Sequence, residues 1–225
     1  MIQIPALAPV YHHNLIWMID LETLATRTSA VVTEVSAVAF DILTGEIRTH
    51  KTWNISVDEQ LALGRTISSG TLAFWLTQSE EAREKLLLSL DDHCFDNCLK
   101  LPVGVDFFLN DFKDFISLHT YHWELENQDR VAAREYQADR PEPYLMGNGP
   151  RFDMGKLAHM YEEAGRERDM PWPYGGDLCV RTLNGLQPRH KKAEEFVGIP
   201  HYGLDDCFHQ IKFIVKIYKD IVGCV

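Results

Sequence analysis

Apolar positions change period several times along the chain. Residues 14–20 hold a nearly unbroken apolar run, Leu15, Ile16, Trp17, Met18 and Ile19, which predicts a strand at the centre of a sheet. Residues 31–40, VVTEVSAVAF, are rich in β-formers and lead into DILTGE, where Thr44-Gly45 marks a hairpin turn. Residues 46–55, IRTHKTWNIS, form the returning strand, so three antiparallel strands open the chain.

The spacing then turns helical. SSGTLAFWLTQSEEAREKLLLSL predicts a helix capped by Ser69 or Thr71, with Glu80, Glu81, Arg83, Glu84 and Lys85 on a solvated face. In residues 104–118, Phe107, Leu109, Phe112, Phe115 and Ile116 recur at amphipathic-helix spacing. Residues 119–141 are polar without a clear apolar period and read as an insertion or a loosely held helical loop. A short strand at 143–147 runs into an Asn148-Gly149-Pro150 turn, and FDMGKLAHMYEEAG continues as a helix ending at Gly165. After a Pro/Gly-rich loop at 166–176, DLCVRTL reads as a short helix or turn, and YGLDDCFHQIKFIVKIYKDIV as a strong final helix. The order β-β-β-α-α-β-α-α predicts one α/β domain over residues 1–225, a mixed sheet flanked by helices.

Composition adds limits. A hydrophobic share of 45% supports a sizeable core. A net charge of −11 disfavours binding of nucleic acid along its backbone, which needs clustered Lys and Arg; it leaves room for a small site that grips nucleic acid through metal ions. Five cysteines in no framework spacing favour reduced thiols and a cytoplasmic setting. His93, Cys94 and Cys98 lack a fourth ligand at zinc spacing, and His12-His13 reads as an exposed pair. The start of the chain has no basic, apolar leader pattern, and no stretch has the length of a membrane span.

Three acidic stretches carry the chemistry. In IDLET, Asp20 and Glu22 lie two apart on a strand and share a face. Crowded beside apolar neighbours, they require a protonated member or a cation between them; alternatively the strand ends at Asp20 and both are solvated. With oxygen donors alone nearby, the cation would be Mg²⁺ or Mn²⁺. In NGPRFD, Asp153 opens a helix, where the dipole favours an acid, behind a turn tight enough for a ligand to approach closely. In HYGLDD, His201 precedes Asp206 by five residues at the start of the last helix. A helix N-terminus disfavours positive charge, and a neutral imidazole is what a general base needs.

Taken in order, IDLET, NGPRFD and HYGLDD resemble the motifs of the DEDDh branch of the DnaQ-like 3′–5′ exonucleases, D-x-E, a central Asp and H-x(4)-D. NGPRFD, TLAFWLTQSEEAR and DLCVRTL are similar to the phage DexA-type, exonuclease VIII and RNase AS group within it. Gly203 departs from the alanine usual in the wider family. The resemblance implies a ribonuclease H-like fold, a mixed five-stranded sheet with three antiparallel and further parallel strands. It also implies two divalent ions, Mg²⁺ or Mn²⁺, about 3.5–4 Å apart on Asp20, Glu22, Asp153 and Asp206. His201 would act as general base, and 5′-mononucleotides would leave the 3′ end. Thr23 and Leu24 would contact the terminal nucleotide, Trp75 would stack a base unless it is core, and Arg151 and Arg181 are candidate phosphate contacts. Single-stranded DNA is the expected substrate and RNA the alternative, with a homodimer as a further expectation. A non-catalytic binding protein of the same fold is opposed by the complete acidic set, and a ribonuclease H-type endonuclease by the H-x(4)-D spacing.

Overall fold

The computed structural model describes residues 14–90, 102–127 and 142–223. A five-stranded sheet runs through it in the order β3-β2-β1-β4-β5. Strands β1 (Leu15–Thr23), β2 (Val32–Asp41) and β3 (Ile47–Asn54) form the antiparallel meander, and β4 (Tyr144–Gly147) and β5 (Asp177–Cys179) add in parallel to the free edge of β1. The fifth strand, within the stretch read as a helix or turn, has three residues, too few to show a period of two.

The two faces of β1 build separate cores, as strand alternation dictates. Leu15, Trp17, Ile19 and Leu21 pack with Val35, Ala37 and Trp53 against Phe108, Phe112 and Ile116 of α4 (Val105–Glu126) and Leu157 and Met160 of α5 (Asp153–Glu163). Ile16 and Met18 pack with Val38 and Phe40 against Cys207, Ile211 and Ile214 of α8 (Gly203–Val222). Both faces are covered, so β1 is apolar along its length until Asp20.

Several local differences from the sequence pattern have physical causes. The first helical stretch is two helices, α2 (Ser69–Leu76) and α3 (Glu80–Leu87). The cap of α2 is Ser68 rather than Ser69 or Thr71, its hydroxyl accepting from the Thr71 N–H at 3.2 Å. Thr77 Oγ1 and Gln78 Nε2 donate to the Phe74 carbonyl at 2.7 and 2.9 Å and close α2, while Ser79 caps α3. Residues 119–126, read as part of an insertion, continue α4. Its inner face there includes a polar residue beside Trp123: Thr120 is buried and accepts from Trp17 Nε1 at 3.0 Å. The remainder of that segment lies outside the described residues, as do His12-His13 and the His93, Cys94 and Cys98 group. Short helices α1 (Val57–Ala62), α6 (Val180–Leu186) and α7 (Pro188–Ala193) complete the structure, α1 and α7 having escaped the sequence pattern. Among the described residues no helix is long and apolar enough to cross a membrane.

A side chain stands in for a strand beside β2. Buried Gln60 of α1 accepts from the Val32 N–H at 2.8 Å and donates to the Val32 carbonyl at 2.7 Å. Gln60→Leu keeps the volume but leaves both buried backbone groups unpaired. It is expected to lower stability by about 2–4 kcal/mol in urea unfolding; a loss below about 0.5 kcal/mol would show that water replaces the amide.

Candidate active site

A cavity of about 700 Å³ opens at the C-terminal ends of the two central parallel strands. Ligands of open α/β sheets bind at this edge because side chains and helix starts from several elements converge there. Strand alternation sends Asp20 and Glu22 to the face that Ile16 and Met18 occupy, under the start of α8. Strand β4 stops at Gly147, paired with Ile19 one residue before Asp20, and the turn after it delivers Asp153 at the start of α5. A Cβ on Gly147 would lie 2.5 Å from Asp153 Oδ2, so this carboxylate needs a glycine beneath it. The turn before α8 brings His201, and the first turn of α8 brings Asp206. Ligand atoms of Glu22, His201 and Asp206 lie within 4.8 Å of one another.

The His201 turn is built to hold its shape. His201 has φ of +64°, a left-handed backbone that side-chain-bearing residues seldom adopt. Its N–H donates to Asp206 Oδ2 at 3.0 Å, and Asp205 Oδ2 accepts from the Ile199 N–H at 2.8 Å. The imidazole stands edge-on to Phe74, with centroids 5.0 Å apart.

Electrostatically the site is loaded. Burial, and then the nearby Asp153 and Asp206, hold the Asp20 carboxyl well above its ordinary range, although Gln210 Nε2 donates to Asp20 Oδ1 at 3.1 Å. Burial and Asp20 do the same to Glu22. Burial pushes Asp153 up to about 7 against the pull of Lys156. Asp206 is raised by burial despite the His201 N–H. Asp153, 3% exposed, has a buried Oδ2 with no hydrogen-bond partner among the described residues. An unpaired buried carboxylate oxygen inside an acidic, oxygen-rich cluster fits a hard divalent cation.

The other residues singled out in the sequence divide. Thr23 lines the cavity, its hydroxyl donating to the Ala25 carbonyl at 2.8 Å. Arg181 lines it as well, beside Gly149. Leu24 does not reach it: the side chain is buried with Val31, Val57, Trp75 and Ala82. Arg151 is exposed and is not part of the cavity wall. Trp75 lines the cavity but is 3% exposed and packed, donating from Nε1 to the Thr23 carbonyl at 3.0 Å. The neighbouring Phe74 lines it too and is 42% exposed, a more accessible ring than Trp75.

Three residues beside the site escaped the sequence reading. Glu34 is buried on β2, and burial raises its carboxyl to about 7. Lys156, 1% exposed, donates to the carbonyls of Thr26 and Phe152 at 3.3 Å, and burial brings its ammonium down to about 8. Gln210 sits one helical turn after Asp206. A signal existed for Glu34, a carboxylate inside an otherwise apolar strand as at Asp20. Lys156 had the signal of an ammonium one turn after Asp153.

Comparison with known proteins agrees with this geometry. Solved structures of the same fold include the nuclease domain of 3′hExo, described as a DEDDh family member bound to rAMP (TM-score 0.56, 15% identity, covering 95% of each chain). They include the 3′-exonuclease described in specific recognition of the histone mRNA stem-loop 3′ end (TM-score 0.55, 14% identity, 92% of this chain and 83% of that one). Exonuclease I is a third, with TM-score 0.56 and 12% identity over 94% of this chain and 43% of that one. This chain shares the fold of these exonuclease structures. The sequence profile of the 3′–5′ exoribonuclease Rv2179c-like domain family matches residues 16–218, and the chain belongs to that family and is a 3′–5′ exonuclease. The search of curated proteins gave no match.

A pH dependence follows from the carboxylates. In metal-free protein their folded pKa values exceed the unfolded ones, so the folded state binds more protons and stability falls as pH rises. For Asp153 and Glu34 the window runs from the ordinary values of 3.8 and 4.5 to about 7. In EDTA the Tm is expected to decline across that window, and Asp153→Asn to flatten the decline. A flat or rising Tm in the wild-type chain would contradict it.

Proposed function

We propose that this protein is a divalent-ion-dependent 3′–5′ exonuclease that acts on single-stranded RNA. Asp20, Glu22, Asp153 and Asp206 hold the ions and His201 is the general base. The observation that carries the assignment of residues is the convergence of all five groups on one cavity, with a buried Asp153 oxygen that lacks a partner. Bound Mg²⁺ or Mn²⁺ would polarise the scissile phosphate and make water more acidic. The protein's own residues do the rest. His201 stands on the cavity wall, where its imidazole can take the proton of the attacking water. The hydroxide oxygen bonds to phosphorus as the P–O3′ bond breaks. A nucleoside 5′-monophosphate leaves, and the shortened strand keeps a 3′-hydroxyl. Arg181 faces the phosphate side of the cavity and Thr23 the terminal sugar, while Phe74 offers a face to a base.

RNA is favoured over the DNA expected from the phage-type resemblance because the family's own description names exoribonucleases. Two structural neighbours, one described as bound to rAMP and one as recognising the histone mRNA stem-loop at its 3′ end, point the same way.

The test is a time course on 5′-labelled single-stranded RNA and DNA of one sequence, with Mg²⁺, Mn²⁺ or EDTA. RNA is expected to shorten from its 3′ end, faster than DNA, and to be untouched in EDTA. Asp20→Asn should abolish cleavage, and His201→Ala should slow it by about 10²-fold or more, the usual size of a general-base contribution. No cleavage of either polymer would refute the catalytic assignment, and faster cleavage of DNA would reverse the substrate.

A further inference from the structure

Glu34 has no part in the chemistry described above, yet it occupies a costly position. It is 4% exposed and lies directly across from Glu22 on the neighbouring strand, so both carboxylates share a face. Mutual repulsion and lost hydration oppose this placement, and specific hydrogen bonds must offset them. They are present. Glu34 Oε1 accepts from the Gly203 N–H at 2.9 Å and from Ser36 Oγ at 3.2 Å.

Gly203 is the first residue of α8, whose N-cap, Tyr202, makes no side-chain capping bond. An unpaired N–H at a helix start is ordinarily met by a cap on the same segment. Here a carboxylate reaches it from the sheet, where the helix dipole also favours negative charge. The consequence is positional. His201 lies two residues before that N–H and Asp206 three after it, so one bond anchors both to the strand that pairs with β1. The left-handed His201 backbone has to be held by such surroundings.

Gly203 is matched to this contact. A Cβ there would stand 2.8 Å from Glu34 Oε1, closer than side-chain carbons come, and 3.1 Å from Ser36 Oγ, tighter than an ordinary contact. We infer that Glu34 is a positioning residue that anchors the His201–Asp206 turn to the sheet, and that Gly203 is the matched small residue that lets it do so. The inference rests on the exonuclease reading of the site.

The experiment uses the full chain as wild type, Glu34→Gln, Glu34→Ala, Gly203→Ala and the Glu34→Ala/Gly203→Ala double variant. Mn²⁺ affinity is read by titration calorimetry, Tm by circular dichroism, and kcat and KM on labelled RNA. Glu34→Gln keeps a carbonyl acceptor for Gly203 and is expected to stay within about threefold of wild type in ion affinity and kcat, whereas Glu34→Ala and Gly203→Ala should each weaken Mn²⁺ binding by about ten- to a hundredfold, the usual range for a group that orients ligands. Both should lower kcat more than they raise KM. The double variant should be no worse than the poorer single one, because Glu34→Ala removes the main obstacle to a Cβ. A loss in Glu34→Gln as large as in Glu34→Ala would overturn the inference and make the negative charge itself the active feature. A neutral Gly203→Ala, or additive losses in the double variant, would overturn it as well. If wild type cleaves nothing but binds Mn²⁺ with this order of variants, the proposed activity fails and the anchor stands. If wild type cleaves RNA and the order is absent, the anchor alone fails.

Discussion

Five carboxylates crowded at one end of the sheet constrain everything else in this protein. Asp20, Glu22, Glu34, Asp153 and Asp206 are all driven upward in pKa, and burial is the first cause at each. Such a cluster stores electrostatic free energy that the remainder of the fold must outweigh. Two apolar cores on opposite faces of β1 supply that stability, one taking the strand as far as Met18 and the other as far as Leu21. Close by, the compensation is local and polar. Gln210 donates to Asp20, the His201 N–H to Asp206, the Gly203 N–H to Glu34, and Lys156 sets a buried positive charge near Asp153. Asp153 Oδ2 is left without such a donor among the described residues, which makes it the natural place for a cation to act.

The wall of the cavity is fixed by side chains that act as backbone. Gln60 completes a ladder with Val32. Buried Arg65 donates to the carbonyls of Thr28 and Ala30 and pairs with Glu163 at the end of α5. Lys156 holds the Thr26 carbonyl, and Trp75 the Thr23 carbonyl. The segment from Thr23 to Ala30 follows the D-x-E motif directly, and three long side chains, Arg65, Lys156 and Trp75, from a loop and two helices tie it down. It therefore belongs to the rigid part of the site, the kind of support that keeps contacts to a substrate within catalytic tolerance.

The sequence was informative where period and motif agree. The antiparallel meander, the central strand with Asp20 and Glu22, α5 behind Asp153 and the long last helix were each legible because hydrophobic period and capping chemistry point the same way. The short elements β5, α1 and α7 were not, since each is shorter than the window in which a period can be counted; β4, also short, was marked by the turn that follows it. The end of α4 was hidden because its inner face carries Thr120, a polar residue buried through its bond to Trp17. Leu24 was misplaced for a different reason. Adjacent to a motif is not the same as facing its cavity, and this side chain turns inward to the small core beneath α2. Glu34 and Lys156 were passed over because each is one charge in a pattern otherwise read for packing.

The acidic character of the chain bears on how a nucleic acid would be held. At a net charge of −11, attraction along a polyanion is missing, and a long strand gains little from contacts far from the site. Binding free energy then has to be concentrated at the 3′ end, inside the cavity, where bound cations reverse the local sign of the field. Arg181, Thr23 and Phe74 are placed there, and the exposed Arg151 is outside it. Under the proposed function, a carboxylate cluster that repels the substrate until cations fill it would make occupancy by metal a condition for substrate binding as well as for chemistry, so the feature that destabilises the empty fold would also keep polymer from engaging a site that cannot cut it.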